Sequence, residues 1–170
     1  MKAVSGLIAC SDLTGFTKLA QSRPEEETFR FLSEYYEFVG DKITPANGTV
    51  IKFMGDAALM LFSESSVDRG MMALLALYTE GDRYLADQGV SCRHHIRAHF
   101  GAVLMGELGT RTEKRRDILG SEVNAMFLLK TTGFTITTAA FRKLSKETRV
   151  HFKKHTPPIT YIPTEQPHKD

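Results

Sequence analysis

Two aspartates, Asp12 and Asp56, are the residues whose type and setting in this sequence could hold a metal ion. Each stands at the end of an apolar run that is typical of a buried strand, and each has a glycine nearby. If the two strands are neighbours in a sheet, both carboxylates can reach one hard cation. Mg²⁺ prefers one or two carboxylates together with substrate phosphates, and a pair of ions can activate an attacking oxygen while neutralising a leaving one. Aspartate is also a favoured turn residue, so a purely structural role for both is the alternative.

The segment that follows Asp12 could bind an anion. Its residues are Leu13, Thr14, Gly15, Phe16 and Thr17. The segment lies at an expected junction between a strand and a helix, where a run of backbone N–H groups is a ready site for the phosphates of a nucleoside triphosphate. This predicts a phosphate-binding role beside the candidate metal site.

The strands that must position these aspartates are visible in the hydrophobic pattern. Residues 3–10 form an apolar run that predicts a buried strand delivering Asp12 to a loop. Residues 49–54 and 57–62 are also apolar and are separated by a Gly-Asp pair. They predict a hairpin with Asp56 at its tip.

Two long helices are predicted around this hairpin. Ser22 and Glu25 have the spacing of a helix cap, and a long amphipathic helix should follow and end before Pro45. Its apolar positions, at helical spacing, are Phe29, Leu32, Tyr36, Val39 and Ile43. Residues 67–86 carry few turn-forming residues and predict the second long helix.

The second half of the chain continues with shorter elements. A strand pair is expected over residues 92–108, followed by a polar and basic loop at 109–116. Helices are expected at 122–130 and around 141–146. Prolines confine the last strand to a short or edge position, because proline cannot donate a ladder hydrogen bond. These prolines are Pro157, Pro158 and Pro163.

The order of the elements predicts a single α+β domain of the ferredoxin-like βαββαβ type over residues 1–170, with a core at about residues 5–163. Helices should pack on one face of a mostly antiparallel sheet. The net charge of +2 does not argue for nucleic-acid binding, and no apolar run approaches the length of a membrane span. The two cysteines are far apart in apolar surroundings. We therefore expect a reduced, cytoplasmic protein that binds neither nucleic acid nor membrane.

Four short motifs occur in a characteristic order. The first is Ser-Asp-Leu-Thr-Gly-Phe-Thr at residues 11–17, and the second is Lys-Phe-Met-Gly-Asp at 52–56, followed by an apolar strand. The third combines His-Phe-Gly at 99–101 with a Gly-x-x-Gly at 106–109, and the fourth is Asp-Ile-Leu-Gly-Ser-Glu-Val-Asn at 117–124. In order and spacing, these motifs resemble those of the class III adenylate and guanylate cyclase catalytic domains.

The resemblance implies a function for the candidate site. Asp12 and Asp56 would hold two divalent cations, Mg²⁺ or Mn²⁺, with help from the carbonyl of Leu13. The ions would grip the phosphates and polarise the ribose 3′-hydroxyl, while Asn124 would orient the ribose. The implied activity is conversion of ATP to 3′,5′-cyclic AMP and pyrophosphate, in cyclic-nucleotide signalling.

The resemblance also implies how the purine is chosen. In the family, a Lys with an Asp selects adenine, and Glu with Cys selects guanine, so Lys52 and Asp117 favour ATP over GTP. The chemistry agrees, because Lys can donate to N1 of adenine and Asp can accept from its amino group. A basic side chain on the closing hairpin usually meets the phosphates, and Lys153 and Lys154 both stand at about the right place.

One position departs from the family pattern. Four residues after Asn124 the family places an arginine that stabilises charge on the reacting phosphate, and this chain has Leu128. Loss of such a group can lower the rate by orders of magnitude while binding survives. The alternative is therefore a weak or inactive cyclase homology domain that binds nucleotide or mediates dimerisation. Substitute cations could come from Lys130, which should point to another helix face, or from the basic loop. That loop carries Arg111, Lys114, Arg115 and Arg116, and its plain alternative is a solvated surface segment.

Family domains work as head-to-tail dimers in which the metal aspartates of one subunit face the base-reading residues of the other. This chain carries both halves, which are Asp12 and Asp56 on one side and Lys52, Asp117 and Asn124 on the other. A homodimer with two equivalent sites is expected. A heterodimer with another cyclase domain that supplies the arginine is also consistent with Leu128.

Overall fold

An eight-stranded sheet forms the frame of the computed structural model, which describes residues 1–168. Its spatial order is β2-β3-β1-β4-β6-β8-β7, and β5 pairs with β4 beside this path. The strands are β1 (Lys2–Thr14), β2 (Gly48–Met54), β3 (Ala57–Ser63), β4 (Arg93–Gly109), β5 (Lys114–Leu119), β6 (Phe134–Thr137), β7 (Phe152–His155) and β8 (Thr160–Pro163).

Six α-helices connect these strands within the described residues. They are α1 (Phe16–Gln21), α2 (Glu25–Ile43), α3 (Val67–Asp87), α4 (Ser121–Phe127), α5 (Thr138–Lys143) and α6 (Lys146–Arg149). Short 3₁₀ turns at Thr44–Ala46 and Glu64–Ser66 lead into β2 and α3. In residues 1–168, none of the helices combines the length and apolar character that a membrane crossing needs.

The ferredoxin-like topology is confirmed by the first four strands. They follow the order β1, helices, β2, β3, helix, β4 along the chain and lie in the spatial order β2-β3-β1-β4. The central strand β1 pairs antiparallel with β3 on one side. On the other side it pairs antiparallel with β4 along its whole length, from Lys2 opposite Met105 to Thr14 opposite Arg93. Among the strand pairs of residues 1–168, only that of β4 with β6 is parallel.

The sheet is covered on both faces, so the expectation that all helices lie on one face was wrong. Alternate residues of β1 enter different clusters: Leu7 and Ala9 face α2 and α3, whereas Ile8 and Cys10 face the opposite side. There they pack with α4 and β5. A central strand buried on both faces is an uninterrupted apolar run, since neither face needs polar residues.

Several boundaries differ from the predictions because strand pairing overrides local turn signals. Asp12 lies within β1 rather than in a loop, since β1 stays paired with β4 as far as Thr14. The expected pair at 92–108 is one strand that includes all three glycines of the third motif. The basic segment belongs in part to a strand, because Lys114–Leu119 pairs with β4.

The first long helix, α2, forms as predicted, but its start and part of its buried face differ from the prediction. Glu25 begins α2, while Ser22 ends α1, where its hydroxyl donates to the Leu19 carbonyl. The buried positions of α2 are Phe31, Tyr35, Val39 and Ile43. Phe29 is 77% exposed. Val39 and Ile43 are thus buried as predicted, and Leu32 and Tyr36 pack partly buried against the core. Packing against the sheet adds Phe31 and Tyr35 and leaves out Phe29.

Candidate active site

Asp12 lies in β1 directly opposite His95 of β4. Its Oδ1 is 3.4 Å from Nδ1 of His95, and its Oδ2 accepts a hydrogen bond of 3.1 Å from Nη2 of Arg97. Burial by itself would raise the pKa of Asp12, but the His95 hydrogen bond and the charges of His95 and Arg97 outweigh it and lower the pKa. The carboxylate is therefore ionised near neutral pH, as a metal ligand must be.

Asp56 is brought to the same place by the turn between β2 and β3. Gly55 has a φ of 64°, a left-handed conformation that favours glycine. The turn aims Asp56 at β1, and its Oδ2 accepts a hydrogen bond of 2.8 Å from the backbone N–H of Leu13. The Asp56 carboxylate is thus hydrogen-bonded to Leu13, the residue that follows Asp12. The two aspartates of the first and second motifs converge, as sheet adjacency predicted.

Tyr36 of α2 anchors this turn, and sequence reasoning missed it by placing it among the core residues. Its hydroxyl donates to the Gly55 carbonyl at 2.5 Å, and its ring stacks on Phe53 with centroids 3.7 Å apart. Burial and the negative charge of Asp56 raise the pKa of Tyr36, so the phenol stays protonated and can donate. No local sequence signal connects Tyr36 with residue 55, because the contact depends on how α2 packs.

Lys52 and Asp117 meet although 65 positions separate them. Lys52 Nζ donates to Asp117 Oδ2 at 2.6 Å, from β2 to β5. The other oxygen of Asp117 accepts from the backbone N–H of Ile118 at 2.8 Å, which fixes the carboxylate. The lysine side chain is 40% exposed and the aspartate side chain 19%. A donor and an acceptor are therefore presented side by side at the edge of solvent.

Asn124 projects from α4, whose start is tied to the sheet. Glu122 bonds to Nε2 of His99 at 2.5 Å, and Nδ1 of His99 contacts the Thr137 hydroxyl at 2.9 Å. Asn124 is exposed, two residues beyond this anchor. The structure thus holds Asn124 on a short, fixed helix at the surface.

Leu128 stands at the end of α4 rather than inside a longer helix. Its N–H donates to the Asn124 carbonyl at 3.0 Å, and its side chain is 75% exposed. Lys130 lies beyond the helix end, so the expected helix over 122–130 was too long. The basic side chains proposed as substitutes are exposed. One of them, Arg115, pairs with Glu113 at 2.5 Å.

The phosphate-binding candidates are spread over two regions. Gly15, with a φ of 94°, joins β1 to the six-residue α1, and Thr14 and Thr17 are exposed beside it. The ring of Phe16 is partly buried against the core, with its centroid 6.4 Å from that of Phe31. Lys153 lies on the edge strand β7, four strands from β1, or about 19 Å at the usual strand spacing. Within one chain the structure does not bring Lys153 or the exposed Lys154 to the two aspartates.

The donor set around Asp12 and Asp56 fits a hard cation that arrives with a nucleotide. Within residues 1–168, no three histidine, cysteine, aspartate or glutamate side chains come together as a metal cluster. Asp12 and Asp56 supply two carboxylates. A Mg²⁺ or Mn²⁺ ion bound to them would complete its coordination shell with phosphate oxygens and water. The chain's own groups thus suit a metal–triphosphate complex better than a permanently bound ion.

Comparison with solved structures identifies the fold. The crystal structure of the guanylyl cyclase Cya2 superimposes with a TM-score of 0.76 at 25% identity and covers 94% of this chain and 91% of its own. The adenylyl cyclase CyaB from P. aeruginosa superimposes with a TM-score of 0.80 at 16% identity and covers 98% of both chains. The resemblance to class III nucleotide cyclase catalytic domains is therefore confirmed, and the chain has their fold.

Sequence relatives agree with this fold. An adenylate cyclase of Anabaena cylindrica is 26% identical over 121 residues, and an uncharacterised protein of Mycobacterium tuberculosis is 30% identical over 118 residues. Each alignment covers 66% of this chain but only 24% and 21% of the relative. The chain thus spans about a quarter or less of the length of these proteins. No family model matches the sequence.

Proposed function

We propose that this chain is a nucleotide cyclase domain that converts ATP to 3′,5′-cyclic AMP and pyrophosphate. The observation that carries the proposal is the pairing of Lys52 with Asp117 at 2.6 Å in a chain with the cyclase fold. These are the residue types that select adenine in the family, and they come together from two separate motifs.

The paired side chains match the edge of adenine. Adenine offers an acceptor at N1 beside an amino donor, so Lys52 can donate to the ring while Asp117 accepts from the amino group. Guanine presents a carbonyl acceptor and an N–H donor at the same positions. Its carbonyl would therefore face the acceptor Asp117, and its N–H would face the donor Lys52. Each side chain already satisfies the other in the free protein, so the base replaces an existing ion pair.

The metal half of the site would handle the triphosphate. Asp12 and Asp56, with the Leu13 carbonyl, would hold Mg²⁺ or Mn²⁺, which on binding would neutralise phosphate charge and lower the pKa of the ribose hydroxyl. In the reaction the 3′-oxygen gives its proton to water and bonds to the α-phosphorus, while the bond from that phosphorus to the bridging oxygen breaks and pyrophosphate leaves. Asn124 would orient the ribose for in-line attack, and the backbone of residues 14–17 would contact phosphate. Lys153 would have to reach phosphate from a second copy, because within one chain it lies four strands from β1.

The working form we propose is a homodimer with sites shared between copies. Beside Asp117, a groove of about 400 Å³ is lined in part by apolar side chains that one chain leaves exposed. Leu104, Leu108 and Leu119 are 47%, 46% and 54% exposed. A second copy seated here would cover this surface and bring its aspartates toward the base-reading pair.

Leu128 favours a second candidate function, a domain that binds nucleotide but turns it over poorly or not at all. Its exposed aliphatic side chain cannot stabilise charge on a phosphate. Such a domain could act as a dimerisation module, or become active when another cyclase domain supplies the arginine across the interface.

The test is to incubate purified protein with ATP or GTP and Mn²⁺ or Mg²⁺ and to measure cyclic nucleotides by mass spectrometry. We expect cyclic AMP from ATP, and no product from Asp56→Ala. Asp87→Ala is the matched control, because Asp87 is an exposed aspartate at the end of α3. Metal-dependent ATP binding without product would support the non-catalytic domain instead, and absence of ATP binding would overturn both.

A further inference from the structure

We propose that Arg97 competes with divalent cations for Asp12 and keeps the metal affinity of the nucleotide-free protein low. The inference rests on the proposed function, since Asp12 matters as a ligand only where metal-bound nucleotide is handled. Arg97 lies outside all four sequence motifs.

Arg97 is fixed in position from two sides. It lies on β4, two residues beyond His95, and therefore diagonally across the strand pair from Asp12. Its Nη2 donates to Asp12 Oδ2 at 3.1 Å, and its Nη1 donates to the Phe127 carbonyl at 3.0 Å. The guanidinium also lies 5.7 Å from the centroid of the Phe127 ring, and the side chain is only 14% exposed. The cation is thus held against Asp12 by the end of α4.

The two candidate metal ligands are consequently unequal. Asp12 has a partner at each oxygen, Arg97 at one and His95 at the other. Asp56 has a neutral partner, the Leu13 N–H, at one oxygen. A guanidinium keeps its charge at any relevant pH, so it repels a divalent ion as well as occupying the oxygen that the ion needs. A first ion should therefore prefer Asp56, and Asp12 becomes available only when Arg97 moves.

A bound triphosphate could cause that movement. Nε of Arg97 is buried and has no hydrogen-bond partner in residues 1–168, so its present site satisfies the guanidinium only in part. Phosphate oxygens are strong, bidentate acceptors for a guanidinium. A triphosphate held next to Asp12 would offer Arg97 this alternative partner and free Asp12 for a metal ion.

The experiment measures Mn²⁺ binding without nucleotide, by following the EPR signal of free Mn²⁺ during titration. Arg97→Gln removes the charge but keeps a polar side chain, and we expect it to bind Mn²⁺ at least tenfold more tightly than the wild type. The gain should disappear in the double variant Arg97→Gln/Asp12→Asn. Arg93→Gln is the matched control, because Arg93 lies on the same strand but is 71% exposed and pairs with Asp82. It should bind Mn²⁺ as the wild type does.

Equal Mn²⁺ affinity of the wild type and Arg97→Gln would overturn the inference. If that affinity depends on Asp56, the proposed metal site stands and only the role of Arg97 fails. If Mn²⁺ binds neither protein even with ATP present, the proposed function fails as well.

A measurement on the wild type covers the case in which Arg97→Gln does not fold. The guanidinium N–H signal of Arg97 in NMR, assigned by its loss in Arg97→Lys, should exchange slowly with water in the free protein. Addition of Mg²⁺ and a non-hydrolysable ATP analogue should shift it. A signal that stays unchanged at saturation would contradict displacement of Arg97 from Asp12.

Discussion

Lys52 Nζ lies 2.6 Å from Asp117 Oδ2, so an ion pair joins β2 and β5, two strands that do not pair with each other in the sheet. The pair is partly exposed. Such pairs contribute little to stability, because water screens them. In the proposed function, the pair instead supplies the hydrogen-bond donor and acceptor that bind the purine base.

The first prediction follows from this pair. Exchange of both residues, Lys52→Glu with Asp117→Cys, should shift nucleotide preference from ATP toward GTP by at least tenfold, because donor and acceptor are replaced by the types that match guanine. Competition of ATP and GTP for a fluorescent nucleotide gives the ratio of affinities. The control is Lys143→Glu, which breaks a surface pair with Glu64 and should leave the ratio unchanged. An unchanged ratio of ATP to GTP affinity in the double variant would show that Lys52 and Asp117 do not select the base.

The sequence was sufficient for the elements whose signals are local. The β2–β3 hairpin with Asp56 at its turn, the long α2 and α3, and the ferredoxin-like order all appear in the structure. Hydrophobic spacing and a Gly-Asp turn are properties of neighbouring residues, so they survive folding unchanged.

The other features of the fold and the site depend on contacts between distant residues, which the local sequence pattern does not encode. Arg97 meets Asp12, 85 positions away, only because β1 and β4 pair in one register. The third motif suggested two strands, but Gly101 leaves room for the Glu122 side chain in an unbroken β4, where an added Cβ would come within 2.5 Å of it. In α2, Val39 and Ile43 are buried as predicted, but packing against the sheet also buries Phe31 and Tyr35 and leaves Phe29 exposed.

The second prediction concerns the anchor of the Asp56 turn. Tyr36→Phe removes the hydroxyl that donates to the Gly55 carbonyl but keeps the ring on Phe53. We expect a loss of about 1 kcal/mol in the free energy of unfolding. Metal-dependent ATP binding should weaken by severalfold because the turn that presents Asp56 is looser. Calorimetric titration with ATP and Mg²⁺ measures this.

The matched control for Tyr36 is Tyr84→Phe. Tyr84 stacks on Phe38 with centroids 4.3 Å apart, and no hydrogen bond of its hydroxyl is present in residues 1–168. It should retain wild-type ATP affinity. Equal ATP affinity of Tyr36→Phe and the wild type would show that the turn holds Asp56 without this bond.

The third prediction concerns pH and the buried histidine of β4. Asp82 Oδ1 accepts from the backbone N–H of His94 at 2.8 Å and contacts its ring at 3.1 Å, and the ring also bonds to Tyr35. Burial alone would raise the pKa of Asp82, but the hydrogen bonds from His94 outweigh it and lower the pKa below the ordinary 3.8. A lowered folded pKa means that this stabilisation is complete above pH 3.8 and is lost as pH falls through the folded value.

Asp82→Asn should therefore destabilise the protein by about 2 kcal/mol at neutral pH. Its stability should also fall less steeply than that of the wild type as the pH drops below the ordinary pKa of 3.8. Urea unfolding at a series of pH values measures both effects. Asp87→Asn, on the exposed end of the same helix, should follow the wild-type curve. Parallel curves for Asp82→Asn and the wild type would contradict the linkage.

The last prediction tests whether Leu128 limits turnover. Leu128 is 75% exposed at the end of α4, so an arginine fits there without displacing core atoms. Leu128→Arg should raise kcat by at least tenfold and change KM little, because a charge that meets the phosphate mainly in the transition state stabilises that state more than the ground state.

The control is Val150→Arg, since Val150 is 69% exposed at the end of α6. A rate for Leu128→Arg no higher than that of the control would mean that another group already performs this role, or that the domain binds nucleotide without turning it over. The Arg97 variants then separate these two cases, because a loss of basal cyclic AMP formation in Arg97→Gln would assign the charge stabilisation to β4.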